Sequence, residues 1–196
     1  LALQHARVQL NNGLYSDCIK TLGNTHIIPF EGSVQGKYVY EQSYLLLATD
    51  LMKKGKYKDA LVSLEKSKEW PENLGVGAPY EPDNRMQNYL EAICQDKLRH
   101  TKEATELQNS VLDFTKTHYN DGRPTFNNIF ALEILKQRGE TEAAKSLIQQ
   151  IKESKQYSRP IQQWIVACFN GDAATCGTLE KEFATNNYFK IIRQLK

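Results

Sequence analysis

One short pattern constrains this chain more than any other feature. A turn residue is followed two positions on by a helix-opening residue, and three positions later by a small side chain. It reads Gly13, Tyr15, Cys18, then Gly55, Tyr57, Ala60, then Gly139, Thr141, Ala144, then Gly171, Ala173, Cys176. A degenerate copy has Arg99, Thr101 and Ala104, with no glycine. The small residues Cys18, Ala60, Ala104, Ala144 and Cys176 are separated by 42, 44, 40 and 32 positions. Recurrence in the range of roughly 20–50 residues is the mark of stacked helical units, because one hairpin alone leaves an apolar face uncovered.

The clearest unit runs from Tyr40 to Trp70. Tyr40, Tyr44, Leu47, Ala48 and Leu51 follow helical spacing and define one apolar face. Gly55 interrupts it, and Tyr57, Ala60, Leu61 and Leu64 begin a second. Two amphipathic helices joined by a short turn make an antiparallel pair. Ala60 is small where the helices cross, so the backbones approach closely. No alternating apolar hairpin argues for strands, and Pro29 breaks the apolar run Ile27-Ile28-Pro29-Phe30. The expectation is all-α, a single helical-repeat domain over 1–196 with about five hairpins near 1–23, 37–70, 83–118, 126–155 and 159–184. Tyr188, Phe189, Ile191, Ile192 and Leu195 predict a capping helix over 185–196.

Two connections are too particular to be filler. One is Pro29-Phe30-Glu31-Gly32; the other is the long stretch from Trp70 to Tyr80, before Asp83 as the expected N-cap of the next helix. Loops of that length in compact helical domains are functional or disordered. Trp70, Leu74 and Tyr80 argue for an ordered loop, with Trp70 facing inward and Tyr80 offered for contact. Trp70, Glu72, Asn73, Leu74 and Tyr80 are therefore its candidate interaction residues.

These phrases, with Tyr44-Leu45-Leu46-Leu47-Ala48 and Trp70-Pro71-Glu72-Asn73-Leu74-Gly75-Val76-Gly77, resemble the tetratricopeptide-rich C-terminal part of a large bacterial family common in Bacteroidetes, known by its N-terminal domain DUF5107. The resemblance covers nearly the whole chain. It implies a tetratricopeptide-like right-handed superhelix with long inter-repeat loops, and a carbohydrate-related, β-rich N-terminal module beyond this segment. Ala78 stands where the family has Lys, a departure that leaves the family's cation without a counterpart at that position. The resemblance carries over no catalytic residue.

In tetratricopeptide arrays the first helix of each hairpin lines a groove. Counting from the turns, the groove residues are Leu45, Thr49 and Met52; Tyr89, Ile93 and Lys97; Ile129, Glu133 and Lys136. The basic clamp for a C-terminal carboxylate is absent, since Leu45, Tyr89 and Ile129 occupy its places. An apolar groove points to a protein surface or helix as occupant, and packing against neighbouring repeats is an equal reading.

Other chemistry finds little support. Gly32-Ser33-Val34-Gln35-Gly36-Lys37-Tyr38 has three residues where a phosphate-binding loop needs four, and Tyr where it needs Ser or Thr. Gly75 and Gly77 follow a helix and lack the third glycine of a dinucleotide site. His5, His26, His100 and His118 are isolated, with no zinc spacing, so neither metal nor cofactor is expected. Glu31 and Glu72 are carboxylates in the two loops, and a pair of that kind does acid–base work on glycosidic bonds, but nothing in the sequence brings them together. Two buried thiols are favoured over a disulfide for Cys168 and Cys176. Four scattered cysteines lean towards a reducing, cytoplasmic compartment, with export of a longer parent left open.

The composition excludes several partners. A net charge of +2, with 25 basic against 23 acidic residues, gives no nucleic-acid footprint. No run approaches the roughly 20 apolar residues of a membrane span. The chain opens on Leu1 inside a helical pattern, which reads as a piece of something longer. The expected function is a non-catalytic scaffold that contacts another protein or a sibling domain of a parent chain, its oligomeric state undetermined. The alternative has Glu72 and Tyr80 completing a carbohydrate-active site with that sibling.

Overall fold

The computed structural model describes residues 1–29, 34–121 and 125–195. Among them are eleven α-helices and no strand. The chain divides into two compact units, Leu1–Thr101 and Lys102–Lys196.

The first unit holds α1 (Ala2–Asn11), α2 (Tyr15–Gly23), α3 (Gln35–Lys53), α4 (Tyr57–Lys68) and α5 (Arg85–Lys97). Consecutive helices pack on one another, and α1 also reaches α3. The second holds α6 (Thr101–His118, its first residue in the first unit), α7 (Asn128–Gln137), α8 (Thr141–Glu153), α9 (Pro160–Asn170), α10 (Ala173–Glu182) and α11 (Asn187–Gln194). There α7 packs on α8, α8 on α9 and α9 on α10, and α7 also reaches α9.

One device makes the recurring turns. Gly13, Gly55, Gly139 and Gly171 have φ between 72° and 77°. Arg99, at 65°, is the one non-glycine among the described residues with positive φ. In each case the next amide donates to the carbonyl five residues back: Leu14 to Gln9, Lys56 to Leu51, His100 to Gln95, Glu140 to Leu135 and Asp172 to Ala167, all at 2.9 Å. This is the Schellman closure, which satisfies carbonyls that a helix end leaves unpaired and needs a left-handed residue at its centre. Glycine adopts that conformation freely; arginine carries a Cβ penalty.

The small residues sit where helices meet. Cys18 and Ala60 have no exposed surface, Ala104 is 4% and Ala144 2% exposed. Around them the first unit buries Leu10, Leu22, Leu45, Leu46, Leu64 and Leu90, a mostly aliphatic core. The second unit buries Ile134, Ile148, Ile151 and Ile165 together with an aromatic cluster. Phe126, Trp164, Phe183 and Phe189 meet with centroids 5.2–6.4 Å apart, mostly edge to face, an arrangement that adds to the burial of area.

Two expectations are corrected. Cys168 and Cys176 are joined in a disulfide, with Cα atoms 5.5 Å apart, and are half-buried instead of being two buried thiols. The tight α9–α10 turn sets both cysteines on facing helices, which puts the sulfurs within bonding reach. The N-cap position of α5 is Asn84, not Asp83. Asp83 still works at that end: its Oδ1 accepts the Arg85 amide at 3.2 Å, and its two oxygens accept from the Arg85 guanidinium at 2.8 and 2.7 Å.

Candidate interaction loop and its anchor

The Trp70–Tyr80 connection has two parts of opposite character. After α4, Pro71 leads into a single 3₁₀ turn, Glu72–Leu74, closed by Gly75 at φ 70°. This part is bolted to the end of α2 and the segment that follows it. The Asn73 side-chain amide donates to the carbonyls of Leu22 at 2.9 Å and Thr25 at 2.7 Å, while the Asn73 carbonyl accepts the Ile27 amide at 2.8 Å. Leu74 is 1% exposed. Gly75 lies so close to Ile27 that a Cβ would fall 2.5 Å from its carbonyl oxygen, so contact as well as φ demands glycine. Gly36 on α3 closes the joint from the other side, with Ile27 Cδ1 in the space a side chain would need.

Lys37 fixes Trp70. It is 1% exposed, yet its ammonium donates to the Ser67 carbonyl at 2.6 Å and pairs with Glu41 at 3.1 Å. It also lies 5.0 Å from the centre of the Trp70 ring, within cation–π range. Burial pulls the Lys37 pKa below its ordinary value, and the Glu41 carboxylate opposes that shift. Tyr40, one turn along, donates to Glu69 at 3.1 Å, and Glu69 also takes the Lys66 ammonium at 2.8 Å. Trp70 itself is half-buried.

Beyond Gly75 the chain turns outward. Gly77, Ala78, Pro79, Tyr80 and Glu81 are exposed, and Tyr80 has 105% of its reference surface open to solvent. Glu72 is exposed on the 3₁₀ turn, and its carboxylate makes no hydrogen bond or ion pair among the described residues. The loop is shaped by Asn73, not by Glu72. Glu31, Phe30 and Gly32, from the other connection, lie outside the described residues, so the Glu31–Glu72 pair has no geometry to report.

The groove residues fall into three groups. Leu45 and Thr49 are buried, with the Thr49 hydroxyl returned to the Leu46 carbonyl at 2.9 Å, and Met52 is half-buried. Tyr89 is buried, Ile93 half-buried and Lys97 exposed. Ile129, Glu133 and Lys136 are gathered at one opening, a cleft of about 380 Å³ completed by Leu132, Thr141, Ala144, Cys168 and Phe169. The four histidines have no metal-binding partners among the described residues. The one three-ligand grouping there is Cys168, Cys176 and Glu180, and the disulfide already occupies both sulfurs.

Three buried charges escaped the sequence reading: Lys37, Glu91 and Arg85, the last 3% exposed and paired with Asp83. Lys37 shares a helical face with Tyr40 and Tyr44, and a lysine in phase with an apolar stripe was the available signal. Glu91 is 3% exposed inside the run Tyr89-Leu90-Glu91-Ala92. Its Oε2 accepts from Lys68 at 2.6 Å and its Oε1 is buried without a hydrogen-bond partner. Burial pushes the Glu91 pKa up to about 7, with the Lys68 ammonium working against that rise and nearby Glu65 adding to it.

No helix among the described residues is long and apolar enough to cross a membrane. Comparison with family models, with curated proteins and with solved structures gives no match for this chain.

Proposed function

We propose that this chain is a non-catalytic helical-repeat scaffold whose Trp70–Tyr80 loop docks another protein or a neighbouring module of a longer parent. The observation that carries the reading is the contrast within the loop: Asn73, Leu74 and Gly75 are locked in place, and Tyr80 stands fully exposed a few residues on. An anchored loop has already lost much of its conformational entropy, at about 1–2 kcal/mol per fixed backbone residue, so its exposed end binds at lower cost. Pro79 and Pro82 on either side of the tip restrict it further. A tyrosine offers large apolar area with a polar end, the chemistry favoured at contact centres. The tetratricopeptide and DUF5107 resemblance adds the partner: the β-rich, carbohydrate-related module on the N-terminal side.

The alternative, in which Glu72 and Tyr80 complete that module's active site, requires a carboxyl held against substrate. Glu72 is exposed and unheld among the described residues, so the loop supports contact better than acid–base work. The test is titration of the chain with that N-terminal module. Tyr80→Ala is expected to weaken association by at least about 1 kcal/mol, roughly fivefold, with helical circular dichroism unchanged. Absence of binding up to about millimolar concentration, or equal affinity for the variant, would overturn the reading. Loss of turnover in Glu72→Gln with binding intact would favour the alternative.

A further inference from the structure

The helix α10 is held unlike the other second helices of the hairpins. α2 buries Cys18 and Leu22, α4 buries Ala60 and Leu64, and α8 buries Ala144, Leu147, Ile148 and Ile151. α10 buries no residue along its ten positions. Its sequence, Ala173-Ala174-Thr175-Cys176-Gly177-Thr178-Leu179-Glu180-Lys181-Glu182, offers one large aliphatic side chain, and that one is half-buried. Burial of apolar area is the ordinary source of helix docking, so something else keeps α10 on α9.

Three ties are visible. Cys176, at the position where three other copies of the turn place alanine and the first places Cys18, is bonded to Cys168 of α9. The Trp164 indole N–H donates to Glu180 Oε1 at 3.3 Å, and the same oxygen lies 3.6 Å from Cys176 Sγ. Phe183, just after the helix, inserts between Phe126, Trp164 and Phe189. The disulfide is the one covalent tie, and both its cysteines are half-buried, so a small reductant reaches them.

We propose that Cys168–Cys176 is a reversible redox latch for α10: oxidised, it clamps the helix on α9; reduced, it lets the helix open while Phe183 keeps the following chain in the aromatic cluster. The reductant is a dithiol. One of its thiolates attacks one cysteine sulfur, forming a mixed disulfide and expelling the other cysteine as a thiolate. Its second thiolate then displaces the remaining cysteine. Two electrons and two protons pass to Cys168 and Cys176, and the reductant leaves as its own disulfide. The inference stands apart from the interaction reading above, because it rests on α10 alone.

Hydrogen exchange read by mass spectrometry, with and without dithiothreitol, tests the latch. Amides across 173–182 are expected to exchange at least tenfold faster after reduction, those of α7, α8 and α9 to change less than twofold, and oxidised glutathione to restore the first pattern. Cys176→Ser is expected to behave like the reduced protein with or without dithiothreitol. If that variant does not fold, the oxidised and reduced wild-type protein decide alone. Protection of α10 unchanged by reduction, equal loss across α7–α9, or alkylation of both cysteines without reductant would overturn the proposal.

Discussion

The two units share one turn and differ in what surrounds it. In Leu1–Thr101 the connection between α4 and α5 is locked by directional contacts: Asn73 on two carbonyls, Gly75 against the Ile27 carbonyl, Lys37 between Ser67, Glu41 and Trp70. In Lys102–Lys196 the corresponding work falls to four aromatic rings and a disulfide. Directional bonds to buried groups fail when geometry shifts slightly, since an unpaired buried group costs about 1–3 kcal/mol. An aromatic cluster loses stability in proportion to the area and volume removed. The recurring turn joins the helix pairs, and residues outside it decide how sensitive each unit is to substitution.

The largest expected effect tests the aromatic side. Trp164 has no exposed surface, and Trp164→Ala should destabilise the protein by about 3–5 kcal/mol in denaturant titration. Trp164→Phe should recover more than half of that loss, because the cluster responds to volume. Equal loss in the two variants would break the contrast and show that the indole N–H on Glu180 matters more than packing.

On the directional side a single methyl should suffice. Gly75→Ala is expected to cost about 2–3 kcal/mol, from positive φ and collision with the Ile27 carbonyl, although it adds only one carbon. A neutral result would mean that this joint yields as readily as a surface turn.

Glu91 sharpens the comparison through pH. Its folded pKa is raised to about 7 from an ordinary value near 4.5. A raised carboxyl pKa means that the folded state holds the proton more tightly than the unfolded one. Its stabilising contribution is thus complete below about pH 4.5 and lost as pH rises through 7. Between pH 4.5 and 8 the wild-type protein should lose about 2–3 kcal/mol relative to Glu91→Gln. Parallel pH profiles for the two proteins would remove Glu91 from the account.

The smallest effect concerns the shared turn. Arg99 holds a left-handed conformation that costs a residue with a Cβ about 1–2 kcal/mol, part of which the flexibility of glycine in the unfolded chain takes back. Arg99→Gly should therefore stabilise by about 0.5–1 kcal/mol, whereas Gly55→Arg should destabilise by a similar amount. Destabilisation by Arg99→Gly would show that the arginine side chain does more than fill the turn.

The turns were legible in the sequence because a Schellman closure depends on local conformation, and glycine reports local conformation. Even the copy without glycine was placed correctly, from Thr101 and Ala104 at the right spacing. Ala60 was legible for a similar reason, since a small residue in phase with an apolar face marks a crossing. The joint at Asn73 was only half legible. Its composition predicts order, but the partners of Asn73 are carbonyls about 50 positions earlier, and no local pattern encodes such a pairing. The disulfide was misread because spacing across a turn fixes proximity but not whether the sulfurs join. Among the candidate groove positions, helical counting placed Ile129, Glu133 and Lys136 on one opening and put Leu45 and Thr49 on a face that proves buried. Helix phase identifies a face; it does not say whether another helix covers it.

The account turns on a loop that is fixed at one end and presented at the other, and residue-resolved amide exchange across 24–83 reads that division directly. The amides of Ile27, Leu74 and Gly75 donate to the carbonyls of Asn73, Pro71 and Glu72 and should be protected at least a hundredfold over an unfolded chain. Those of Ala78 and Tyr80, on the exposed stretch, should exchange within about tenfold of the unfolded rate. Uniformly fast exchange from Trp70 to Tyr80 would mean that the anchor does not hold, and would contradict the reading of this loop as a prearranged docking element.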